Sequence, residues 1–287
     1  MKNKKILLIL LGLAILTIII VDFITFNKKQ ISIEYPIYDN VEEAINKQNE
    51  KKEIELEIKD LKYAVPIFMY HWVVDDTAGY PYIENMVRPE TLREQVEYIA
   101  NNGYESVFTT ELGNLAAYEK PVMLTFDDGF VSVYQNAFPI LKEFNVKGTV
   151  FVISELVDTP GYCTKAQLKE MYESGLVDLQ CHTATHPYLA QLTREQMHNE
   201  MQKCIDYLKS EFGITSTVMC YPYGSRNSIT IEETQKLGFL YGLAMDGGIY
   251  YSGRDNDYEI SRIYATRSMK LSEFVNYLSK SYVNVEI

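Results

Sequence analysis

Residues 124–130, LTFDDGF, place two adjacent aspartates at the end of an apolar run and follow them at once with a glycine. The run PVMLTF at residues 121–126 is the kind of short, continuously apolar segment that predicts a buried strand. Two like charges beside buried residues cost free energy unless a cation or a proton compensates them. The stretch therefore predicts a strand that ends in a charged site, and it raises the question of which group compensates Asp127 and Asp128.

Similar apolar runs alternate with amphipathic segments about seven times from Tyr63 onward. The runs AVPIFMYH, GTVFVIS and VDLQCHT predict strands, and TKAQLKEMYESG and TREQMHNEMQKCIDYLKSEFG predict helices. Thr193 and Gln196 have the spacing of a capping box, and Gly213 stands where a helix-ending glycine belongs. This alternation predicts an α/β fold with a parallel sheet or barrel, in which ligand sites collect at the carboxyl ends of the strands.

Polar residues close several of the predicted strands. They are His71, Asp127 with Asp128, His182, and the sequence YPYG at residues 221–224. In HTATH, His182 and His186 would face the same way if the chain turned helically after its strand, as a shared metal ion requires. Asp128 would complete a ligand set that leaves positions open for water, and Asp127 would then take a proton from that water. Taken singly, FDDG is also typical of a turn, and HTATH of a structural histidine pair.

Three motifs in this order resemble the NodB-homology polysaccharide deacetylases: TFDDG at residues 125–129, HTATH at 182–186 and YPYG at 221–224. The resemblance runs from about Ala64 to the C-terminus. MYH at residues 69–71 and ISRIYAT at 260–266 are similar to the branch that deacetylates β-1,6-linked poly-N-acetylglucosamine in biofilm matrices. Peptidoglycan deacetylases share the three main motifs. The resemblance implies a distorted (β/α) barrel of about seven parallel strands.

The resemblance also implies roles for single residues. Asp127 would be the general base on a metal-bound water, and Asp128, His182 and His186 would bind the metal, which the resemblance implies is zinc. The ligand set by itself would also accept cobalt, nickel or iron.

A substrate groove follows from the third motif. The resemblance implies that YPYG forms a wall of this groove, with Pro222 in the wall and the backbone amide of Tyr223 helping to hold the oxyanion. Trp72, the only tryptophan of the chain, is predicted to contact the substrate as well, because aromatic faces suit sugar rings.

The sequence departs from the family pattern in two places. Cys220 stands where many members have an arginine that orients the base, and Arg262 is the candidate to reach Asp127 from another strand; a surface charge is the alternative for Arg262. Many members also have a late histidine as the general acid, whereas the last histidine here is His198, on a polar helix. His71 is therefore the candidate acid, and a structural histidine under the barrel rim is its alternative.

The N-terminus predicts a membrane anchor. Lysines at positions 2, 4 and 5 precede the apolar run Ile6–Val21, which with its flanks is about long enough to span a bilayer. Lysines on that side favour a cytoplasmic N-terminus and an extracytoplasmic remainder. A cleaved signal peptide is the alternative, but no small-x-small cleavage site follows. The predicted organisation is an anchor (1–26), a charged stalk (27–62) and a deacetylase domain (63–287).

Four cysteines lie in the predicted outer domain: Cys163, Cys181, Cys204 and Cys220. Disulfides and buried free thiols are both compatible with their spacing.

The formal net charge of −12 argues against nucleic acid and anionic lipid as partners. The leading hypothesis is a membrane-anchored, metal-dependent N-deacetylase that acts on N-acetylglucosamine residues of a surface or cell-wall polysaccharide, with poly-N-acetylglucosamine favoured over peptidoglycan. A glycan-binding protein on a catalytically weak scaffold is the alternative from another class. An aspartyl phosphatase is disfavoured, because that chemistry uses two aspartates separated by one residue, whereas Asp127 and Asp128 are adjacent.

Overall fold

The computed structural model of the chain describes residues 63–75 and 84–283. The predicted anchor (1–26) and stalk (27–62) lie outside the described residues. None of the helices within the described ranges has the length and hydropathy needed to cross a membrane.

Short strands are spread over both described ranges. In chain order they are Tyr63–Val65 (β1), Ile67–Tyr70 (β2), Trp72–Val73 (β3), Met86–Val87 (β4), Glu105–Ser106 (β5), Pro121–Phe126 (β6), Gly148–Val152 (β7), Val177–Cys181 (β8), Val218–Cys220 (β9), Tyr241–Leu243 (β10), Tyr250–Tyr251 (β11), Ile263–Tyr264 (β12) and Tyr282–Val283 (β13).

Seven of these strands form one sheet in the order β10-β9-β8-β7-β6-β2-β12, and β5 pairs with β6 beside this path. Every pairing in the sheet is parallel, so the predicted parallel α/β architecture is confirmed. Ile260 forms a parallel bridge with Leu243 of β10, while Ile263 pairs with Phe68 of β2. The segment that leads into β12, at one edge of the sheet, therefore also contacts β10 at the other edge, which is consistent with the predicted distorted barrel.

The predicted helices cover the sheet. The α-helices in the described ranges are Pro89–Asn101 (α1), Phe138–Phe144 (α2), Lys165–Glu173 (α3), Arg194–Phe212 (α4), Ser228–Lys236 (α5) and Leu271–Leu278 (α6). The capping box of α4 is confirmed, because Thr193 Oγ1 accepts from the Gln196 N–H and Gln196 Oε1 accepts from the Thr193 N–H. The predicted glycine end is confirmed as well, since Gly213 is left-handed at φ 72°.

Side chains alternate between the two faces of β6, and this alternation positions the site. Val122, Leu124 and Phe126 belong to the larger hydrophobic cluster, which includes residues of the covering helices. Met123 belongs to the second cluster, with residues of β2, β7 and β9. By the same alternation Asp127, the first residue after β6, follows Met123 onto the interior face of the sheet.

Two features were not predicted. β1 pairs antiparallel with β11 and with β13 in a separate sheet of three strands, and β3 pairs with β4. For the cysteines, the structure resolves the two alternatives: all four are buried and free.

Candidate active site

Asp127 forms a buried ion pair with Arg262. Arg262 Nη1 lies 2.7 Å from Asp127 Oδ1, and Nη2 lies 2.8 Å from Oδ2. Arg262 is 0% exposed and Asp127 1% exposed, so the alternative of a surface charge for Arg262 is wrong. A bidentate pair fixes the plane of the carboxylate as well as its charge.

The rest of the Arg262 guanidinium is also satisfied. Its Nε donates to the Ala244 carbonyl at 3.0 Å, Nη1 donates to Thr125 Oγ1 at 3.1 Å, and Nη2 lies 3.2 Å from Cys220 Sγ. Cys220, in the position of the expected arginine, thus contacts the arginine that arrives from β12. Burial by itself raises the pKa of Asp127, but the charge and hydrogen bonds of Arg262 outweigh this effect and hold that pKa below its usual value.

Asp128 lies between two histidines. Its Oδ1 is 3.3 Å from His182 Nε2 and 3.2 Å from His186 Nε2. This oxygen is buried, yet it has no hydrogen-bond partner within the part of the chain that the structure describes. Three ligand-type atoms therefore converge on one point.

These distances match those of a metal site. Two ligand atoms about 2.05 Å from a tetrahedral ion are about 3.3 Å apart, which is the spacing seen here. The unpartnered oxygen of Asp128 is explained if a cation is its partner. The residues thus fit a divalent ion held by two imidazoles and one carboxylate.

The two histidines do not lie on a helical turn, which was the condition under which the sequence predicts that they face the same way. After β8 the chain runs through a loop in which Thr183 and His186 are left-handed, at φ 67° and φ 65°. The rings of His182 and His186 nevertheless contact each other, with centroids 4.9 Å apart. His182 Nδ1 lies 2.7 Å from the Cys220 carbonyl oxygen, an orientation that leaves Nε2 free for a metal.

Asp127, His182 and Cys220 form a second group whose ligand atoms lie within 4.8 Å of one another. The guanidinium of Arg262 already contacts both Asp127 and Cys220, and its positive charge disfavours a cation at this second point.

His71 lies on the Asp127 side of the site. It is 8% exposed, its Nε2 is 4.0 Å from Asp127 Oδ2, and its buried Nδ1 has no partner among the described residues. Burial lowers the pKa of His71, and the nearby Asp127 and Asp128 carboxylates offset only part of that effect. Burial of the ring therefore favours its neutral form.

A pocket of about 340 Å³ opens over these groups. One wall is an aromatic row in which Trp72 stacks on Phe130 at 4.1 Å and Phe130 on Tyr162 at 5.1 Å between centroids. Another is formed by Tyr223, which packs edge-on against His186 at 4.4 Å. Trp72 and Tyr223 therefore lie where the predicted groove is.

One predicted substrate residue lies outside the pocket, and one histidine that was not a predicted site residue lies on a helix. Pro222 is buried and is not among the residues that line the pocket. His198 is on α4, where its Nδ1 lies 2.8 Å from Glu233 Oε1, away from the pocket-lining residues.

Sequence reasoning missed Tyr188. Its ring stacks on Tyr223 at 4.0 Å and 10°, and the two side chains are 48% and 49% exposed. Its position in the sequence could have indicated this location, since an aromatic residue two positions after His186 remains close to that histidine.

The sequence profile of the polysaccharide deacetylase family matches residues 115–242. This range includes Asp127, Asp128, His182, His186 and the YPYG motif, whereas His71 and Arg262 lie outside it.

Similar proteins agree with the profile. The Bacillus subtilis (strain 168) protein YxkH, whose name places it with the polysaccharide deacetylases, is 28% identical over 82% of this chain and 84% of its own length. The Escherichia coli (strain K12) poly-β-1,6-N-acetyl-D-glucosamine N-deacetylase is 27% identical over 71% of this chain and only 37% of its own length.

A solved structure, the Streptococcus pyogenes deacetylase PplD in complex with acetate, superposes with a TM-score of 0.70 at 27% identity, over 75% of this chain and 98% of that one. The resemblance to the polysaccharide deacetylases is therefore confirmed over residues 115–242, and the protein is an enzyme, a polysaccharide N-deacetylase.

Proposed function

We propose that the protein hydrolyses the acetamido group of N-acetylglucosamine residues in an extracellular polysaccharide, with β-1,6-linked poly-N-acetylglucosamine as the preferred substrate. The proposal rests on one observation about the pocket. The Asp127 carboxylate, held by the buried Arg262, lines this pocket beside the converging side chains of Asp128, His182 and His186. The E. coli relative named for that substrate supports the choice of polymer. The reaction releases acetate and leaves a free amine.

Asp128, His182 and His186 would hold a divalent ion, and zinc is proposed because two histidines and a carboxylate are a common catalytic zinc set. Such an ion would supply a water ligand of lowered pKa and a positive charge beside the amide oxygen.

Asp127 would act as the general base. Arg262 keeps it ionised and fixes its orientation, and a carboxylate that accepts two hydrogen bonds still has lone pairs for a third. Its placement next to Asp128 in the chain brings it close to any water at the metal position. Proton removal by a positioned base contributes typically about 10²- to 10⁴-fold to rate.

His71 would pass to the departing amine the proton that Asp127 takes from the water, since its Nε2 lies 4.0 Å from Asp127 Oδ2 in the same pocket. A lowered pKa makes the ring give up that proton readily. The backbone N–H of Tyr223 would stabilise the tetrahedral oxygen, and the left-handed φ of 58° at Tyr223 turns the chain at this edge of the pocket.

The glycan-binding alternative rests on the missing arginine and the missing late histidine. Because Arg262 donates two hydrogen bonds to Asp127, the first of these two reasons no longer favours a catalytically weak scaffold.

Acetate release distinguishes the substrates. The purified protein is incubated with β-1,6-linked N-acetylglucosamine oligomers and, separately, with peptidoglycan. Faster release from the oligomers supports the proposal, release from peptidoglycan alone keeps the reaction but changes the polymer, and release from neither contradicts it.

We also propose that the enzyme is held at the cell membrane by the apolar run Ile6–Val21, with the catalytic domain outside, since lysines precede that run. Protease added to intact cells is expected to digest the catalytic domain. Its protection from protease would contradict this orientation.

A further inference from the structure

The loop that carries both histidines has an unfavourable backbone. Thr183 and His186 are left-handed, at φ 67° and φ 65°, and both have a Cβ that disfavours this conformation. Such a loop persists only where its surroundings hold it in place. The contacts that hold it are therefore candidates for control of the metal site.

Glu200, on α4, binds this loop through both carboxylate oxygens. Its Oε2 accepts from the Ala184 N–H at 3.1 Å and from the Thr185 N–H at 2.9 Å. Its Oε1 accepts from Thr185 Oγ1 at 2.8 Å. Successive backbone N–H groups aimed at one anion form a strong and directional anchor.

The carbonyl side of the loop is held separately. The Ser154 N–H donates to the Thr183 carbonyl at 3.1 Å, and the Glu155 N–H donates to the Ala184 carbonyl at 3.0 Å. The carbonyls of Thr183 and Ala184 and the N–H groups of Ala184 and Thr185 are therefore all bonded to neighbouring elements. We call this set of contacts, which Glu200 completes, the clamp.

The two histidines depend on this clamp to different degrees. His182 directly follows β8, is 2% exposed, and has its ring oriented by the Cys220 carbonyl. His186 lies beyond the clamp, and its own N–H donates within the loop, to Thr183 Oγ1 at 3.0 Å. The placement of His186 Nε2 relative to Asp128 therefore follows from the shape of the loop.

We propose that Glu200 is a positioning residue for the metal centre, which fixes the His182–His186 loop in its metal-binding shape and thereby sets metal affinity. This inference rests on the metal site of the proposed function. Loss of an outer contact that orients a metal ligand typically weakens binding about 10- to 100-fold.

Zinc affinity of the full-length protein, measured by competition with a chromophoric chelator, is the test. Glu200→Ala is expected to bind zinc about 10- to 100-fold more weakly than wild type. Glu200→Gln is expected to lose much less, because its amide oxygen can still accept from both N–H groups. Asp206→Asn, an exposed carboxylate on the same helix, is the charge control and should bind as wild type does.

Thermal unfolding with and without zinc separates positioning from general stability. A purely structural Glu200 would lower the Tm of the apo and zinc-bound forms alike and leave zinc affinity unchanged. Positioning instead predicts a smaller zinc-induced rise in Tm for Glu200→Ala. Thr185→Val, which removes only the Oγ1 contact, should weaken zinc binding several-fold and serves if Glu200→Ala does not fold.

Three results would overturn the inference. They are wild-type zinc affinity in folded Glu200→Ala, equal losses in Glu200→Gln and Glu200→Ala, or a comparable loss in Asp206→Asn. If wild type itself bound no zinc, the proposed metal site would fail together with the inference, whereas tight binding by wild type and Glu200→Ala alike would remove the inference alone.

Discussion

At Asp127 two opposing effects act on one carboxyl group. Burial favours its neutral form, whereas Arg262 favours its charge with two hydrogen bonds and a full positive charge at contact distance. The pair costs desolvation on both sides, so its value lies in geometry more than in net stability. A base that stays ionised and does not rotate is what proton abstraction needs.

Removal of Arg262 should therefore be costly. Arg262→Met leaves the Asp127 carboxylate buried without its cation and with only the Cys220 thiol as a donor, and the free energy of unfolding is expected to fall by about 3 to 5 kcal/mol in urea titrations. Arg93→Met, which breaks an exposed pair with Glu143, is the control and should change stability little. Equal stability losses in the two variants would contradict the buried-pair account.

Tyr188 and Tyr223 form the most exposed aromatic surface next to His186. Tyr188→Ala is expected to raise KM for N-acetylglucosamine oligomers about 2- to 10-fold with little change in kcat, because an aromatic contact of this kind is worth about 0.5 to 1.5 kcal/mol. Tyr172→Ala, at another exposed tyrosine, is the matched control. An unchanged KM would exclude Tyr188 from the groove.

At the scale of elements, the sequence predicts correctly those features that depend on residues close together in the chain. The ends of α4 follow from Thr193, Gln196 and Gly213, because capping depends on residues within one turn. The conformation of the loop after β8 was not predicted, since nothing local predicts left-handed Thr183 and His186. Glu200, which is 15 residues after Thr185, binds that loop, and a contact over this separation gives no periodic pattern in the sequence.

The N-cap of α4 gives a direct test of the local account. Thr193→Ala removes the side-chain acceptor for the Gln196 N–H and should lower the free energy of unfolding by about 1 kcal/mol. Thr193→Asn retains an acceptor and should stay close to wild type in the same urea titration. A loss in both variants would assign the effect to something other than capping.

At the scale of the whole molecule, the topology assembles the site. β6, β8 and β9 each end next to a residue of the site, and the long side chain of Arg262, which directly precedes β12, reaches Asp127, although these residues are far apart in sequence. The rule that ligand sites gather at the carboxyl ends of parallel strands was enough to predict the meeting of Asp127, Asp128 and the histidines. It could not predict the stacking of Tyr188 on Tyr223, which depends on the paths of two loops.

Asp178, on β8, makes the stability of the whole fold depend on pH. Burial raises its pKa to about 6, despite hydrogen bonds from Gln180 and Thr110. Since the folded pKa lies above the unfolded value, the group binds more protons in the folded state, and its contribution to stability is lost as pH rises through about 4 to 6.

Asp178→Asn keeps an acceptor and removes the charge. It should raise the free energy of unfolding at pH 7 by about 1 to 2 kcal/mol, a gain that shrinks toward zero near pH 4. Urea titrations at both pH values measure the difference. Destabilisation by Asp178→Asn at pH 7 would contradict the sign of this effect.

The central claim, hydrolysis by Asp127 at a metal held by Asp128, His182 and His186, is tested most directly by acetate release from β-1,6-linked N-acetylglucosamine oligomers. Wild type and Asp127→Asn are compared at equal, independently measured zinc occupancy. The account predicts that the variant binds zinc as wild type does but releases acetate at least about 10²-fold more slowly. Acetate release by zinc-loaded Asp127→Asn at the wild-type rate, or by wild type stripped of metal, would contradict it.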